Sequence, residues 1–167
     1  MQQTDLTTMT WWKHFKPSAC NHKLQAENKD HALELIIETM TKAKVLGPEL
    51  SESANRALLA REELATTGVG RGVAIPHVKL AGLTSVACSI VVLREPLDWA
   101  AVDGDPVDIV ITILRPDSFT EDFDPGQHIK MMQWIAGLAR EGDFCSFARC
   151  VDKKSTLVDL LKEHAHV

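Results

Sequence analysis

The sequence predicts an α/β fold: a single domain in which one mixed sheet is covered by helices on both faces. Two runs, VACSIVVL at 86–93 and VDIVITIL at 107–114, are nearly continuous in apolar character and rich in β-branched residues. That is the pattern of central strands buried on both sides. Segments of helical period stand before and after this pair, so helices are available to cover either face. A chain of 167 residues, 45% hydrophobic and 25% charged, has the length and balance for one core.

Residues 1–22 carry Trp11, Trp12, Phe15 and Pro17 among polar residues without a period, and they form a lead-in to a domain read as 23–167. A short strand is expected at Lys23 to Ala26. Asn28 then offers an N-cap, and Leu33, Ile36, Ile37, Met40 and Ala43 recur at helical spacing until Gly47 and Pro48 stop the helix. A second helix is expected from Ser51 to Leu64, with Ala54, Ala57, Leu58 and Leu64 on one side. Residues 65–77 read ATTGVGRGVAIPH, in which alternating glycines permit unusual backbone angles and Val73 to Ile75 form a short strand ending at Pro76. His77 is therefore expected just past a strand end. Between the two long strands, EPLDWAAVDGDP is turn-forming, and 115–127 is an acidic loop. Helical period returns from His128 with Met131, Met132, Ile135, Leu138 and Ala139. Gly142 and Asp143 separate it from a shorter segment bearing Phe144, Phe147 and Val151, and a last helix begins near Ser155.

A net charge of -5 leaves no basic footprint for nucleic acid or an anionic membrane surface. No apolar run approaches the roughly 18 residues of a membrane span, and MQQTDLTTMT lacks the basic and apolar regions of a secretory signal, so the expected compartment is the cytoplasm. The four cysteines, Cys20, Cys88, Cys145 and Cys150, form no CxxC pair and are read as reduced, unpaired and without a catalytic part.

The glycine stretch fails as a nucleotide loop. It contains no GxxxxGK[ST], and its GxGxG at 68–72 precedes a strand pattern rather than a helix. His77 is more informative. A neutral imidazole is a nucleophile near pH 7, and a histidine at a strand end beside flexible glycines suits reversible phosphoryl transfer; the alternative is a hydrogen-bonded structural histidine. His128, opening a helix, either faces His77 across a cleft and stabilises an anion or caps its loop. Arg61, in LLAREEL, either clamps phosphoryl oxygens or pairs with Glu62 or Glu63. A metal-hydrolase reading would join His77 and His128 to Asp117, Glu121 or Asp124, but no HExxH-type spacing supports it, and neither metal nor cofactor is expected. His164 and His166 read as a frayed, solvated tail.

ATTGVGRGVAIPHVKL resembles the active-site motif of the mannitol/fructose-type enzyme IIA domains of the bacterial sugar phosphotransferase system. The resemblance extends back through LLAREELATTG, similar to the family's "RE.LGSTG" segment, and forward through EPLDWAAVDGDPVDIVITILRP, similar to its "PIDF.A.DG.PVD" block. It covers Lys23 to the C-terminus and implies a mixed sheet of about five strands flanked by helices. It also implies that His77 accepts a phosphoryl group, with Arg61 and His128 stabilising it. The implied donor is the phosphocarrier HPr, and the implied acceptor is a cysteine of an enzyme IIB domain. Arg71 stands where the family commonly has Asn, either adding positive potential beside the phosphorylated ring or standing as a solvated loop charge. The loop before His128 is longer and more acidic than usual, and Ile129 replaces a leucine.

Two functions share this chemistry. One is a sugar-transport component. The other is a regulator of the family's nitrogen-related branch, whose phosphorylation state selects the regulatory proteins it binds. The continuation His77-Val78-Lys79-Leu80, similar to the "HxKL" of the regulatory branch, and the lack of a fused IIB or membrane IIC segment favour the second.

Overall fold

Successive side chains of a strand point to opposite faces of a sheet, so a strand buried on both faces feeds two cores. The computed structural model describes residues 8–165, and in it the two long strands do so. Its strands are β1 Asn21–Leu24, β2 Gly68–Gly70, β3 Val73–Ala74, β4 His77–Leu80, β5 Ala87–Leu97 and β6 Val107–Pro116. Its α-helices are α1 Lys29–Lys42, α2 Ser51–Leu64, α3 Pro125–Arg140, α4 Gly142–Cys150 and α5 Lys154–Glu163. Cys88, Ile90, Val92, Ile109, Ile111 and Ile113 face the core shared with α3, α4 and α5. Ala87, Val91, Leu93, Val110 and Leu114 face the core shared with α1 and α2.

The sheet runs β1-β5-β6-β3-β2, with β4 also paired to β6; β5 and β6 are antiparallel, while β1 on β5 and both β3 and β4 on β6 are parallel. Six strands stand where about five were expected because Pro76 interrupts one of them. Val73 pairs with Ile109 and His77 with Ile113, so β3 and β4 keep one register along β6 across a residue that has no N–H to give.

Several boundaries differ from the sequence reading. The first strand begins at Asn21 rather than Lys23. β5 continues through Glu95 and Pro96 to Leu97, so the turn between the long strands starts later than its composition suggests. β6 reaches Pro116 and α3 starts at Pro125, which shortens the acidic loop to 117–124 and puts His128 inside the helix rather than at its opening. His164 is not part of a frayed tail. Its Nδ1 lies 2.9 Å from the Leu160 carbonyl, its own carbonyl accepts the Trp134 indole N–H at 2.9 Å, and its ring meets Phe144 edge-on. His166 and residues 1–7, with the leader reading placed on them, lie outside the described residues.

The lead-in folds onto the domain. Thr8–His14 and Pro17–Ala19 are 3-10 turns. Trp11 and Phe15 are buried, with ring centroids 6.0 and 6.3 Å from that of Trp134 on α3. Cys20, Cys88 and Cys145 are free and buried, and burial pushes all three thiols above their ordinary range.

Candidate active site

The site lies where β4, β6 and the first turn of α3 converge. Pro76 breaks the ladder, its carbonyl accepts the Ile113 N–H at 2.9 Å, and the next residue, His77, enters the sheet as the first of β4. His77 thus begins a strand as well as following one. Upstream, Gly70, Arg71 and Gly72 have φ of 105°, 57° and 78°, a left-handed run that turns β2 back into β3. The Arg71 backbone N–H donates to Asp103 at 2.9 Å, and its guanidinium donates to the Arg140 carbonyl at 2.8 Å, so Arg71 is an exposed loop charge that also ties the turn to the end of α3.

Asp124 caps α3 by accepting the Gly126 N–H at 2.9 Å, Pro125 takes the first helical position, and His128 closes the first turn. This brings His128 Nε2 to 3.0 Å from His77 Nε2. Phe123 stands edge-on to the His128 ring, centroids 5.4 Å apart, and the Arg115 guanidinium lies 5.1 Å from the Phe123 centroid.

Both rings resist protonation. Burial, followed by the charges of Arg115, Arg61 and Lys79, lowers the His77 pKa to about 4. Burial, then His77, Arg115 and His14, lower that of His128 to about 4. Two neutral imidazoles meeting Nε2 to Nε2 share one proton: one nitrogen donates and the other presents its lone pair. With the proton on His128, His77 Nε2 is a nucleophile facing an N–H donor. His128 Nδ1 is then a bare acceptor, and it is buried without a hydrogen-bond partner.

Of the residues singled out from the sequence, His77 and His128 come together. Arg61, in the last turn of α2, acts on His77 by its charge while its Nη1 donates to the Ala65 carbonyl at 2.7 Å. Sequence reasoning missed Arg115, whose charge weighs on His77 more than that of Arg61. Its signal was the first charge after the apolar run of β6, at the strand end in register with Lys79. It also missed Glu62, next to Arg61. This buried carboxylate accepts hydrogen bonds from the Thr67 hydroxyl, from the Thr67 N–H at 3.3 Å and from the Trp99 indole at 3.3 Å, and pairs with Lys29 at 3.4 Å. Because the Thr67 carbonyl accepts the Ile75 N–H at 2.9 Å, this network anchors the chain just before His77. Asp124 is spent on its cap, and among the described residues no three His, Cys, Asp or Glu side chains gather as metal ligands.

A family description, "Phosphoenolpyruvate-dependent sugar phosphotransferase system, EIIA 2", matches residues 13–164. The chain belongs to that family. As an EIIA 2 domain it is 36% identical over 133 residues to a nitrogen regulatory protein of Bradyrhizobium diazoefficiens, covering 80% of this chain and 82% of that protein. It is 28% identical over 135 residues to a fructose-specific EIIA component of the phosphotransferase system of Haloferax volcanii, covering 81% and 83%. The EIIA 2 fold is also that of nitrogen regulatory protein IIA-Ntr from Neisseria meningitidis, with a TM-score of 0.79 at 24% identity over 90% of this chain and 97% of that one.

Proposed function

We propose that this EIIA 2 domain is a phosphoryl carrier of the nitrogen-related regulatory type, loaded on His77 Nε2 by a histidine phosphocarrier of the HPr class. The observation that carries the reading is the 3.0 Å approach of the two Nε2 atoms. His77 Nε2 attacks phosphorus with its lone pair, the P–N bond to the donor imidazole breaks, and the electron pair leaves with that ring. The His128 Nε2–H, released from His77, turns to a phosphoryl oxygen. Arg115 and Arg61 supply positive potential to the charge spread over the transferring oxygens, which is most of what a protein contributes to phosphoryl transfer.

The regulatory reading rests on similarity to the Bradyrhizobium nitrogen regulatory protein. Similarity to the fructose-specific component supports a second reading, in which His77 passes its phosphate to a cysteine of an enzyme IIB domain. The test is incubation with phosphorylated HPr followed by intact-mass and phosphorus NMR measurement. Wild type should gain one acid-labile phosphoryl group and His77→Ala none. Stoichiometric labelling of His77→Ala would sink the assignment. Discharge of the labelled protein onto IIB cysteines would favour transport over regulation.

A further inference from the structure

The site has a second side. His128 lines two clefts: one it shares with His77, which its Nε2 meets, and a second of about 280 Å³ walled by α3, the loop 117–124 and the lead-in. His14 lines that second cleft together with Trp11, Glu121, Phe123, Gln127 and His128. The lead-in wall is held in place by Trp11 and Phe15 packed on Trp134, which follows His128 along α3.

Two acceptors on α3 that border this cleft lack a donor. His128 is 93% buried and its Nδ1 has no partner, and the Gln127 Oε1 is likewise buried and unpaired. An orphaned buried acceptor costs about 1–3 kcal/mol, so a donor placed nearby selects among tautomers. The groups facing His128 divide by element. β4 offers His77, already engaged at Nε2, and β6 offers Arg115, which lies over Phe123. The loop carries Glu121, Asp122 and Asp124, which as carboxylates accept only. The 3-10 turn Thr8–His14 offers the Trp11 indole and the His14 ring, which always carries at least one N–H, and of the two it is His14 whose charge is felt at His128.

We propose that His14 is a positioning residue of this site: an N–H of its ring, directed across the cleft to His128 Nδ1 either directly or through one water, keeps His128 in the tautomer whose Nε2–H faces His77. The lead-in is then a working part of the domain. Burial and the charge of Lys16 keep His14 neutral near pH 7, so it donates without placing a second positive charge against His128. Its catalytic consequence rests on the phosphoryl-carrier reading above; the tautomer itself does not.

Long-range nitrogen–proton NMR of the unphosphorylated protein at pH 7.5 tests this. Wild type should show His128 as a single Nε2–H tautomer, His14→Phe a mixture of the two, and His14→Gln, which keeps an N–H, the wild-type pattern. Transfer from phosphorylated HPr should slow by about tenfold in His14→Phe, the scale of lost outer hydrogen-bond partners elsewhere, and recover in His14→Gln. His14→Leu replaces the phenylalanine variant if the latter does not fold. An unchanged His128 tautomer in a folded His14→Phe or His14→Leu, or an Nδ1–H tautomer in wild type, overturns the proposal. Wild type that shows the expected tautomer but takes no phosphate on His77 would instead overturn the phosphoryl-carrier reading.

Discussion

At the scale of single residues, burial first and a positive field second keep the two facing histidines neutral. Arg115 contributes the largest neighbouring charge at His77. Replacing Arg115 with alanine should therefore do two separable things. It should slow transfer by roughly 10²-fold, the lower end of what losing a group that stabilises transition-state charge costs, since its guanidinium rests over Phe123. It should also raise the pKa of His77 from about 4 toward the ordinary imidazole range, since removing a cation makes protonation easier. Proton NMR titration of the His77 ring checks the second independently of the first. An unmoved titration would mean that burial alone lowers this pKa. Arg61→Ala should slow transfer less than Arg115→Ala, because its guanidinium is partly spent on the Ala65 carbonyl. Equal losses in single-turnover rate would contradict that ranking.

At the scale of elements, the tight β2–β3 turn sets the entry of His77. Gly72 has φ of 78°, and a Cβ there would come within 2.7 Å of Arg149 Nη2 and 2.9 Å of Asp108 Oδ1. Those two side chains form an ion pair at 2.8 Å, and Arg149 also donates to the Arg71 carbonyl at 2.8 Å. Gly72→Ala therefore meets both a left-handed backbone penalty of about 1–2 kcal/mol and a displaced ion pair. Urea unfolding should show a lower midpoint with an unchanged slope. Gly104 has the same φ of 78° with open space around it, so Gly104→Ala should cost the backbone penalty alone and serves as the control. Comparable midpoints for the two variants would show that the Arg149–Asp108 contact carries no weight.

At the scale of the molecule, three histidines folded in neutral form tie stability to pH. His14, His77 and His128 all have folded-state pKa values below the ordinary 6.5, so the unfolded chain binds more protons as pH falls through that value. Stability should be fully present above about pH 6.5 and decline down to about pH 4. Urea midpoints at pH 7.5, 6.0 and 5.0 should fall in that order, and more gently in His77→Ala. A flat series would mean that the two facing rings take up a proton between them without cost to the fold.

What the sequence determined by itself was local or periodic. Continuous β-branched runs place β5 and β6 in the interior because burial on both faces removes alternation, and the 3.6-residue period with Asn28 ahead of it marks α1. The AIPH segment with its glycines singles out His77 for the same reason, since the turn chemistry and the imidazole are contiguous in the chain. Tertiary structure decided what depends on separate segments meeting. The 3.0 Å approach of His128 to His77 spans 51 residues, and no spacing rule encodes it. Arg115 reads in the chain as a charge ending a strand and gains its weight only because the parallel pairing of β4 with β6 lays it beside Lys79 in the cleft of His77. The unpatterned lead-in reaches the far side of His128 because two aromatic rings find Trp134, an attraction of surfaces that leaves no period to read.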